Sequence, residues 1–305
     1  MTSSPSSGGR DNTAPPSGGA DGDSHSVGEA GTGLVRWRLR VAYNGSGFHG
    51  FAAQDGQRTV AGVLVEALSR VTRTDIALTC AGRTDTGVHA LDQVVHFDLP
   101  SQSAAELDPA VVMRSCNRQL APSVVIREAG PVPSSFDARR SAVARRYRYL
   151  VVNGPVADPL LAGLAWHVSD PLDLRSMAAA ADALLGEHDF RAFCRRVPGT
   201  TAEDPIARRV MDARWSLVDG SQGGALVPVD GRLLAFEIEA NAFCHQMVRS
   251  LVGTLVDVGR GKKRPSDMLW ILRSADRQRA SQPAPSEGLT LMTVRYGAAP
   301  ACRPG

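Results

Sequence analysis

The sequence predicts an α+β fold in which two similar halves form one largely antiparallel sheet with helices packed on it. Two observations lead to this prediction. The predicted elements follow the order strand, helix, strand, strand, helix, strand twice along the chain, which is the order of a ferredoxin-like unit. The 305 residues are 43% hydrophobic, enough to build a large core. We expect a first half over residues 34–142 and a second half over residues 143–305, with a broad face that suits an extended ligand.

The first 33 residues are expected to lie outside this fold. They contain eight Gly, seven Ser and three Pro, and almost no large aliphatic side chains. Such a segment cannot bury enough apolar surface to offset the entropy lost on ordering, so it predicts a disordered tail. One Arg and four acidic residues give the tail a net charge of −3, so the rest of the chain carries +6 against +3 for the whole.

The first half begins with the clearest strand of the chain. Between residues 34 and 43, apolar residues alternate with arginines, so that one face is apolar and the other basic. Thr59 has the side chain of a helix N-cap, and Asp108 followed by Pro109 marks a second helix start. The elements expected here are a strand at 34–43, a helix at 60–71, strands at 76–80 and 93–99, a helix at 109–120 and a short strand at 124–126.

The second half repeats this order, with a second short helix before its last strand. Asp173 is a suitable cap for one helix, and Gly259 closes a strongly apolar one. The elements expected here are a strand at 143–152, a helix at 174–185, strands at 208–218 and 233–239, helices at 242–258 and 266–274, and a final strand at 289–296.

Composition excludes several classes of protein. No apolar stretch is long enough to span a bilayer, and the polar N-terminus lacks the apolar region of a secretory signal. The five cysteines are odd in number and form no C-x-x-C pair, which predicts reduced thiols in a cytoplasmic protein. The histidines show no metal-ligand spacing, so no metal site is expected.

Residues 81–90, Ala-Gly-Arg-Thr-Asp-Thr-Gly-Val-His-Ala, are the densest polar cluster in an apolar region, and they fall in a turn between two predicted strands. Arg83 and Asp85 can both point into one cleft, where the arginine would support a carboxylate acting as nucleophile or base. An ordinary surface turn with an ion pair is the alternative. Asp-Thr-Gly also occurs in aspartic proteases, but those need two such carboxylates and this chain has one.

Residues 139–149 form the most basic part of the chain, with five Arg and two Tyr. On a strand, Arg145, Tyr147 and Tyr149 share one face, a combination that suits a phosphate backbone with an unstacked base beside it. A solvated edge strand that uses charge to resist aggregation is the alternative.

Residues 241–250 place His245 and Arg249 one turn apart on a predicted helix that is otherwise mostly apolar. A buried Arg249 needs a carboxylate or phosphate partner, so it either pairs with an internal acid or lines a cleft. His89 and His245 are each interpreted as hydrogen-bonded structural residues.

From about Arg38 to Tyr296 the sequence resembles the tRNA pseudouridine synthase A family. The ordered set of motifs is far more specific than any one of them. They are Ala-Tyr-Asn-Gly-Ser-Gly-Phe-His-Gly-Phe (42–51), Arg-Thr-Val (58–60), the segment 81–90 quoted above, Gln-Val-Val-His-Phe (93–97), Ala-Arg-Arg-Tyr-Arg-Tyr (144–149), Gly-Glu-His-Asp-Phe (186–190), Asn-Ala-Phe-Cys-His-Gln-Met-Val-Arg (241–249) and Glu-Gly-Leu-Thr-Leu (287–291).

The resemblance implies a pseudouridine synthase fold and a cofactor-independent isomerase of uridines at tRNA positions 38–40, in the anticodon stem-loop. Asp85 would be the essential carboxylate, Arg83 its ion-pair partner and Tyr147 the ring against the target uracil. Leu291 would form an apolar wall beneath the base, and Arg249 would line the cleft. The resemblance also implies a cytoplasmic homodimer whose partner is tRNA. A non-catalytic RNA-binding protein with the same fold is the alternative function.

Overall fold

The computed structural model describes residues 33–195, 204–218, 228 and 230–297. Apart from Gly33, the tail predicted over residues 1–33 lies outside them. The first half contains, in chain order, β1 (Leu34–Tyr43), α1 (Val60–Thr72), β2 (Thr79–Cys80), β3 (His89–Pro100), α2 (Ser101–Ala105), α3 (Pro109–Leu120) and β4 (Val124–Val132).

The second half contains the remaining regular elements of the described residues. They are β5 (Ala142–Asn153), β6 (Trp166–Val168), α4 (Leu174–Asp182), β7 (Gly186–Asp189), β8 (Ala207–Val218), β9 (Arg232–Ala240), α5 (Met247–Gly259), α6 (Asp267–Ser274) and β10 (Leu289–Tyr296).

All ten described strands belong to one sheet, with the path β4-β1-β3-β10-β5-β9-β8-β7 and with β2 against β3 and β6 against β5. The first half has the strand order β4-β1-β3-β2, and the second half has the matching order β10-β5-β9-β8, which is the ferredoxin-like order. The short strands β6 and β7 are additions to the second half, beside β5 and β8. Only the described pairs β3–β10 and β5–β6 are parallel. The predicted α+β fold with two ferredoxin-like halves is confirmed, while the boundary at residue 142 stays a prediction.

The predicted helix caps form as expected. Thr59 Oγ1 accepts a hydrogen bond from Gly62 N, and the carboxylates of Asp108 and Asp173 accept bonds from the second residues of α3 and α4. These bonds satisfy N–H groups that have no partner within a helix. The local sequence therefore sets where these three helices begin.

Five predicted boundaries are wrong, and one of them is the start of the strand expected at residue 93, which lies at His89. The helix expected at 242–258 begins only at Met247, because Gln246 has a left-handed backbone with φ of 63°. The helix expected to reach residue 185 ends at Asp182, where the next N–H groups bond three residues back instead of four. The strand predicted at 76–80 forms only at Thr79–Cys80, and the strand predicted at 124–126 continues to Val132 along β1.

One hydrophobic core joins the two halves across the sheet. Helix α1 contributes Leu64 and Leu68, and helix α5 contributes Leu251 and Leu255, none of which has exposed surface. Within the described residues, no helix combines the length and apolar composition needed to cross a bilayer.

Candidate active site

The turn between β2 and β3, residues 81–88, is fixed by the sheet on which it stands. Ala81 N donates to Val94 O at 2.8 Å, and Gln93 Nε2 donates to Gly82 O at 2.7 Å. Gly87 has a φ of 80°, which lets the chain reverse before β3. The turn is therefore a rigid support for the side chain at its centre, Asp85.

A second loop packs on this turn from the first strand. Phe51 N donates to Thr84 O at 3.0 Å, and the hydroxyls of Tyr43 and Thr84 are 2.8 Å apart. Gly50 has a φ of 87°, and a Cβ there would lie 3.0 Å from Thr84 O. Gly50 is thus required by both its backbone angle and its closeness to the turn.

Asp85 is half-buried and faces the side chains of Arg249 and His245 from the second half of the chain. Its Oδ2 lies 3.4 Å from Arg249 Nη1, and its Oδ1 lies 3.3 Å from His245 Nε2. Both carboxylate oxygens therefore have a nitrogen partner, which fixes the orientation of the carboxylate.

Arg249 is in the first turn of α5 and is anchored by a second contact. Its Nε donates to Ala284 O at 2.7 Å, while its Nη1 faces Asp85. Of the two alternatives for Arg249, the structure shows the pairing with an acid, the half-buried Asp85.

The ion pair expected between Arg83 and Asp85 is not formed. Arg83 is exposed and makes no ion pair among the described residues. In an extended turn, residues two apart can point the same way, but here Arg249 and His245 already take both carboxylate oxygens. Arg83 is therefore an exposed cation two residues from Asp85, without an ion pair in the part of the chain that the structure describes.

Tyr147 lies on β5 with its ring against Phe243. The two ring centroids are 5.0 Å apart and the planes are nearly perpendicular. Burial raises the pKa of Tyr147, and the neighbouring Tyr43 and the Asp85 carboxylate raise it further, so the phenol stays protonated at neutral pH. Its hydroxyl has no hydrogen-bond partner among the described residues.

Leu291 on β10 is the register partner of Tyr147 on one side and of Ala90 on the other. It has no exposed surface. In this conformation Leu291 supports the Tyr147 strand from beside it rather than lining an open cleft.

The loop before α5 carries three side chains with separate contacts. Phe243 packs on Tyr147, His245 faces Asp85, and Cys244 is bonded to Cys194 with the two Cα atoms 5.7 Å apart. The prediction of reduced thiols is therefore wrong for this pair. The fold brings the two cysteines together although 50 positions separate them in the chain. Cysteine spacing in the sequence does not predict a pair so far apart.

Arg145 is buried and does not face a phosphate. Its guanidinium donates to Ala81 O at 2.9 Å, Asn241 O at 2.7 Å and Arg139 O at 2.8 Å. It thus joins the start of the turn that carries Asp85 to the start of the loop that carries His245. The expectation that Arg145 faces RNA beside Tyr147 is wrong, because the guanidinium already donates its hydrogen bonds to backbone carbonyls.

The basic faces of β1 and β5 are also largely neutralised. Arg146 and Arg148 pair with Glu239 and Glu237 of β9 at 2.8 and 2.6 Å. The three arginines of β1 pair with acids of β3 and β4, namely Asp98, Glu128 and Asp92. These carboxylates lie on neighbouring strands that are distant in the sequence. The positive charge counted along β1 or β5 alone therefore overestimates how many arginines are available to bind RNA.

Of the two histidines interpreted as structural, one fits. His89 Nδ1 accepts from Gly45 N at 3.0 Å, its Nε2 lies 3.0 Å from Glu287 O, and burial lowers its pKa. His245 instead contacts Asp85. This contact was not predicted. His245 was expected within a helix at 242–258, whereas it lies in the loop before α5.

Comparison with known proteins agrees with this geometry. The family described as tRNA pseudouridine synthase matches residues 40–139 and 180–297. A tRNA pseudouridine synthase A of Frankia casuarinae is 44% identical over 268 residues, 87% of this chain and 90% of that protein. The proteins of the same name from Brevibacillus brevis and Streptomyces griseus are 41% and 40% identical, covering 86% and 88% of this chain and 100% and 91% of their own lengths.

Two ferredoxin-like halves on one sheet, with a carboxylate turn facing a basic helix terminus, define an isomerase of the pseudouridine synthase class. The chain belongs to the tRNA pseudouridine synthase family, whose members convert uridine to pseudouridine in tRNA.

Proposed function

We propose that this chain forms pseudouridine at positions 38–40 in the anticodon stem-loop of tRNA, with Asp85 as the essential carboxylate. The observation that carries the proposal is the placement of Asp85 at the centre of a rigid turn, with Arg249 and His245 on its two oxygens. The resemblance of the motifs to the tRNA pseudouridine synthase A family supports the choice of stem-loop.

The reaction exchanges one bond of the sugar for another. The N1–C1′ bond breaks, the uracil turns, and C5 joins C1′ while the proton on C5 is lost and N1 gains one, so substrate and product contain the same atoms. Asp85 either bonds to C1′ or takes the C2′ proton. In both cases a stem uridine must first leave the base stack, which costs a few kcal/mol.

Tyr147 is proposed to receive the flipped uracil. Its ring is held edge-on by Phe243, so it is already oriented before RNA arrives. Its protonated hydroxyl is free to donate a hydrogen bond to the base. Leu291 is proposed to act as the apolar wall that keeps this strand in place beside the base.

Arg83 is proposed to bind the phosphate of the flipped nucleotide. It is exposed two residues from Asp85 and has no carboxylate partner among the described residues. Arg139 and Arg140 are exposed nearby in sequence to Arg145, whose side chain reaches the same turn. These cations are better placed for RNA than the neutralised faces of β1 and β5.

We further propose a cytoplasmic homodimer, on the family resemblance. A second copy would extend the sheet face available to a long RNA. Light scattering of the purified protein at several concentrations checks this proposal, and a monomer at all concentrations with full activity contradicts it.

The function is tested with purified protein and a synthetic anticodon stem-loop carrying uridines at positions 38–40. We expect pseudouridine by mass spectrometry after nuclease digestion, and none in a loop with cytidines at those positions. A protein that binds the stem-loop tightly and leaves every uridine unchanged would instead be the non-catalytic RNA-binding alternative.

A further inference from the structure

A pocket of about 140 Å³ lies between the first turns of α5 and the segment 277–283. Its polar walls include Ser250 of α5, Arg277 and Ser281. None of the residues around Asp85 lines it. A water molecule takes about 30 Å³ of liquid, so this pocket has room for a larger polar group.

Three polar atoms of this pocket have no hydrogen-bond partner among the described residues. They are Ser250 Oγ, Ser281 Oγ and Arg277 Nη1, and each is buried. Ser250 as a whole is only 2% exposed. Buried polar groups are nearly always paired, because an unpaired one loses its hydrogen bonds to water without replacement. Three such atoms, one from α5 and two from the segment 277–283, all line one pocket and indicate a polar ligand that satisfies them together.

The charge of the pocket is positive. Arg277 Nη2 donates to the amide oxygen of Gln246 at 3.1 Å, so its guanidinium has an uncharged partner on that side. The adjacent carboxylate of Asp276 is occupied by Gln278 N at 2.9 Å and by Arg279 Nε at 3.2 Å. Burial and the nearby Arg195 both lower the pKa of Arg277, as expected where one cation is close to another.

We propose that this pocket binds a phosphate group, with the Arg277 guanidinium and the hydroxyls of Ser250 and Ser281 as its donors. A guanidinium with two hydroxyls matches the acceptor oxygens of a tetrahedral anion. The group is either a backbone phosphate of RNA or free inorganic phosphate. The RNA source rests on the proposed function, whereas the free-phosphate source does not.

The pocket is linked to the active site at two points. Gln246, held by Arg277, directly follows His245, which faces Asp85. Ala284, just beyond the pocket segment, accepts the Nε hydrogen bond of Arg249 and donates its N–H to Arg249 O at 2.9 Å. A phosphate in the pocket therefore braces both partners of Asp85.

Free phosphate is tested by thermal unfolding of the full chain in phosphate against chloride of equal ionic strength. We expect a saturable rise in Tm for the wild type and for Arg273→Gln, an exposed arginine of α6 that serves as the matched charge control. The rise is lost in Arg277→Gln and in Ser250→Ala/Ser281→Ala. The double serine variant is as stable as wild type in chloride, because the hydroxyls it removes have no protein partner.

RNA is tested by stem-loop binding in an Asp85→Asn background, across a series of salt concentrations. If the ligand is a backbone phosphate, Arg277→Gln weakens binding about tenfold and lowers the slope of log affinity against log salt by about one. The serine pair weakens binding with the slope unchanged, and Arg273→Gln resembles its parent.

The two tests separate the sources. If phosphate raises Tm and the pocket variants bind the stem-loop as their parent does, the ligand is free phosphate. If the pocket variants weaken stem-loop binding, the ligand is a backbone phosphate of RNA. If the pocket variants match wild type in both tests, the pocket takes water only and the proposal is wrong. If the wild type modifies no tRNA at all, the proposed function fails, but the thermal test still shows whether the pocket binds phosphate. Failure of the proposed function is therefore distinguishable from failure of the pocket proposal.

Discussion

The carboxylate of Asp85 and the guanidinium of Arg249 are 3.4 Å apart although 164 positions separate them in the chain. Asp85 comes from a turn of the first half and Arg249 from a helix of the second. The carboxylate is therefore oriented only when the two halves are assembled on their shared sheet. Changes to either residue should affect the reaction more than the fold.

Replacing Asp85 with asparagine is expected to remove pseudouridine formation and to leave stem-loop binding within about twofold. The amide keeps the shape of the carboxylate but can neither bond to C1′ nor take a proton, a loss of at least about 100-fold in rate. Single-turnover rates and filter binding measure the two effects. Asp98→Asn, which alters an ion pair with Arg36 at the other end of β3, is the matched control and should retain its rate.

Replacing Arg249 with methionine is expected to lower kcat by about 10- to 100-fold, the value of a hydrogen bond to a charged group. Methionine keeps the packing of the side-chain stem but leaves Asp85 Oδ2 without this partner. Arg249→Lys should restore part of kcat because it returns the charge without the Ala284 contact. Equal rates for the methionine and lysine variants would contradict an electrostatic role.

Replacing Tyr147 with phenylalanine isolates the hydroxyl. Since no hydrogen bond to this hydroxyl occurs within the described residues, the free energy of unfolding in urea should change by less than about 1 kcal/mol. We expect kcat to fall about tenfold or more, because the flipped base loses its donor. Tyr147→Ala should in addition cost about 3–5 kcal/mol of stability, since it removes a buried ring packed on Phe243. A phenylalanine variant with full kcat would show that only the ring matters.

Acid is expected to destabilise the fold through two buried histidines. His89 and His96 each accept a backbone N–H at Nδ1, and burial lowers the pKa of both below the ordinary 6.5. The unfolded chain therefore binds more protons than the folded one below about pH 6.5, and stability present above that pH is lost as the pH falls.

The measurement is the free energy of unfolding in urea between pH 7.5 and 5. Each histidine contributes at most about 1.4 kcal/mol per pH unit. His96→Gln keeps an acceptor for Ala138 N without a titrating group, so it should flatten the pH dependence. The exposed His49→Gln is the control, and an equal flattening by both variants would contradict the assignment.

Reduction of the Cys194–Cys244 bond is expected to lower the free energy of unfolding by about 2–4 kcal/mol. The bond spans 50 positions and holds the loop that carries His245, so kcat should fall more than KM changes. Urea unfolding with and without dithiothreitol measures the first effect. In Cys194→Ala/Cys244→Ala the reductant should have no further effect, and alkylation of both thiols in the untreated protein would contradict the bond.

Much of the fold follows from local signals in the sequence. The caps at Thr59, Asp108 and Asp173 and the alternation along β1 depend on neighbours only, and these elements were predicted within a few residues. The short strands β6 and β7 were missed because three or four residues carry too little periodicity. The start of α5 was missed because the left-handed backbone at Gln246 is unusual for a residue with a Cβ.

The site was harder to predict than the fold. Asp85 stands out because a carboxylate between two glycines in an apolar region is uncommon. The resemblance placed Arg249 in the cleft, and the structure pairs Arg249 with Asp85. Proximity in sequence favoured Arg83 as the ion-pair partner, whereas His245 takes the other carboxylate oxygen. The buried role of Arg145 was equally hidden, because its carbonyl partners come from three separate loops.

Strand β10, made after all the other described strands, lies in the middle of the sheet between β3 and β5. During translation, the strands on both sides of the sheet are therefore synthesised before β10, the strand that connects β3 to β5. Until Leu289–Tyr296 is translated, β3 with the Asp85 turn and β5 with Tyr147 have no strand between them. A product truncated before β10 lacks the centre of its sheet, so no strand holds the Asp85 turn beside Tyr147.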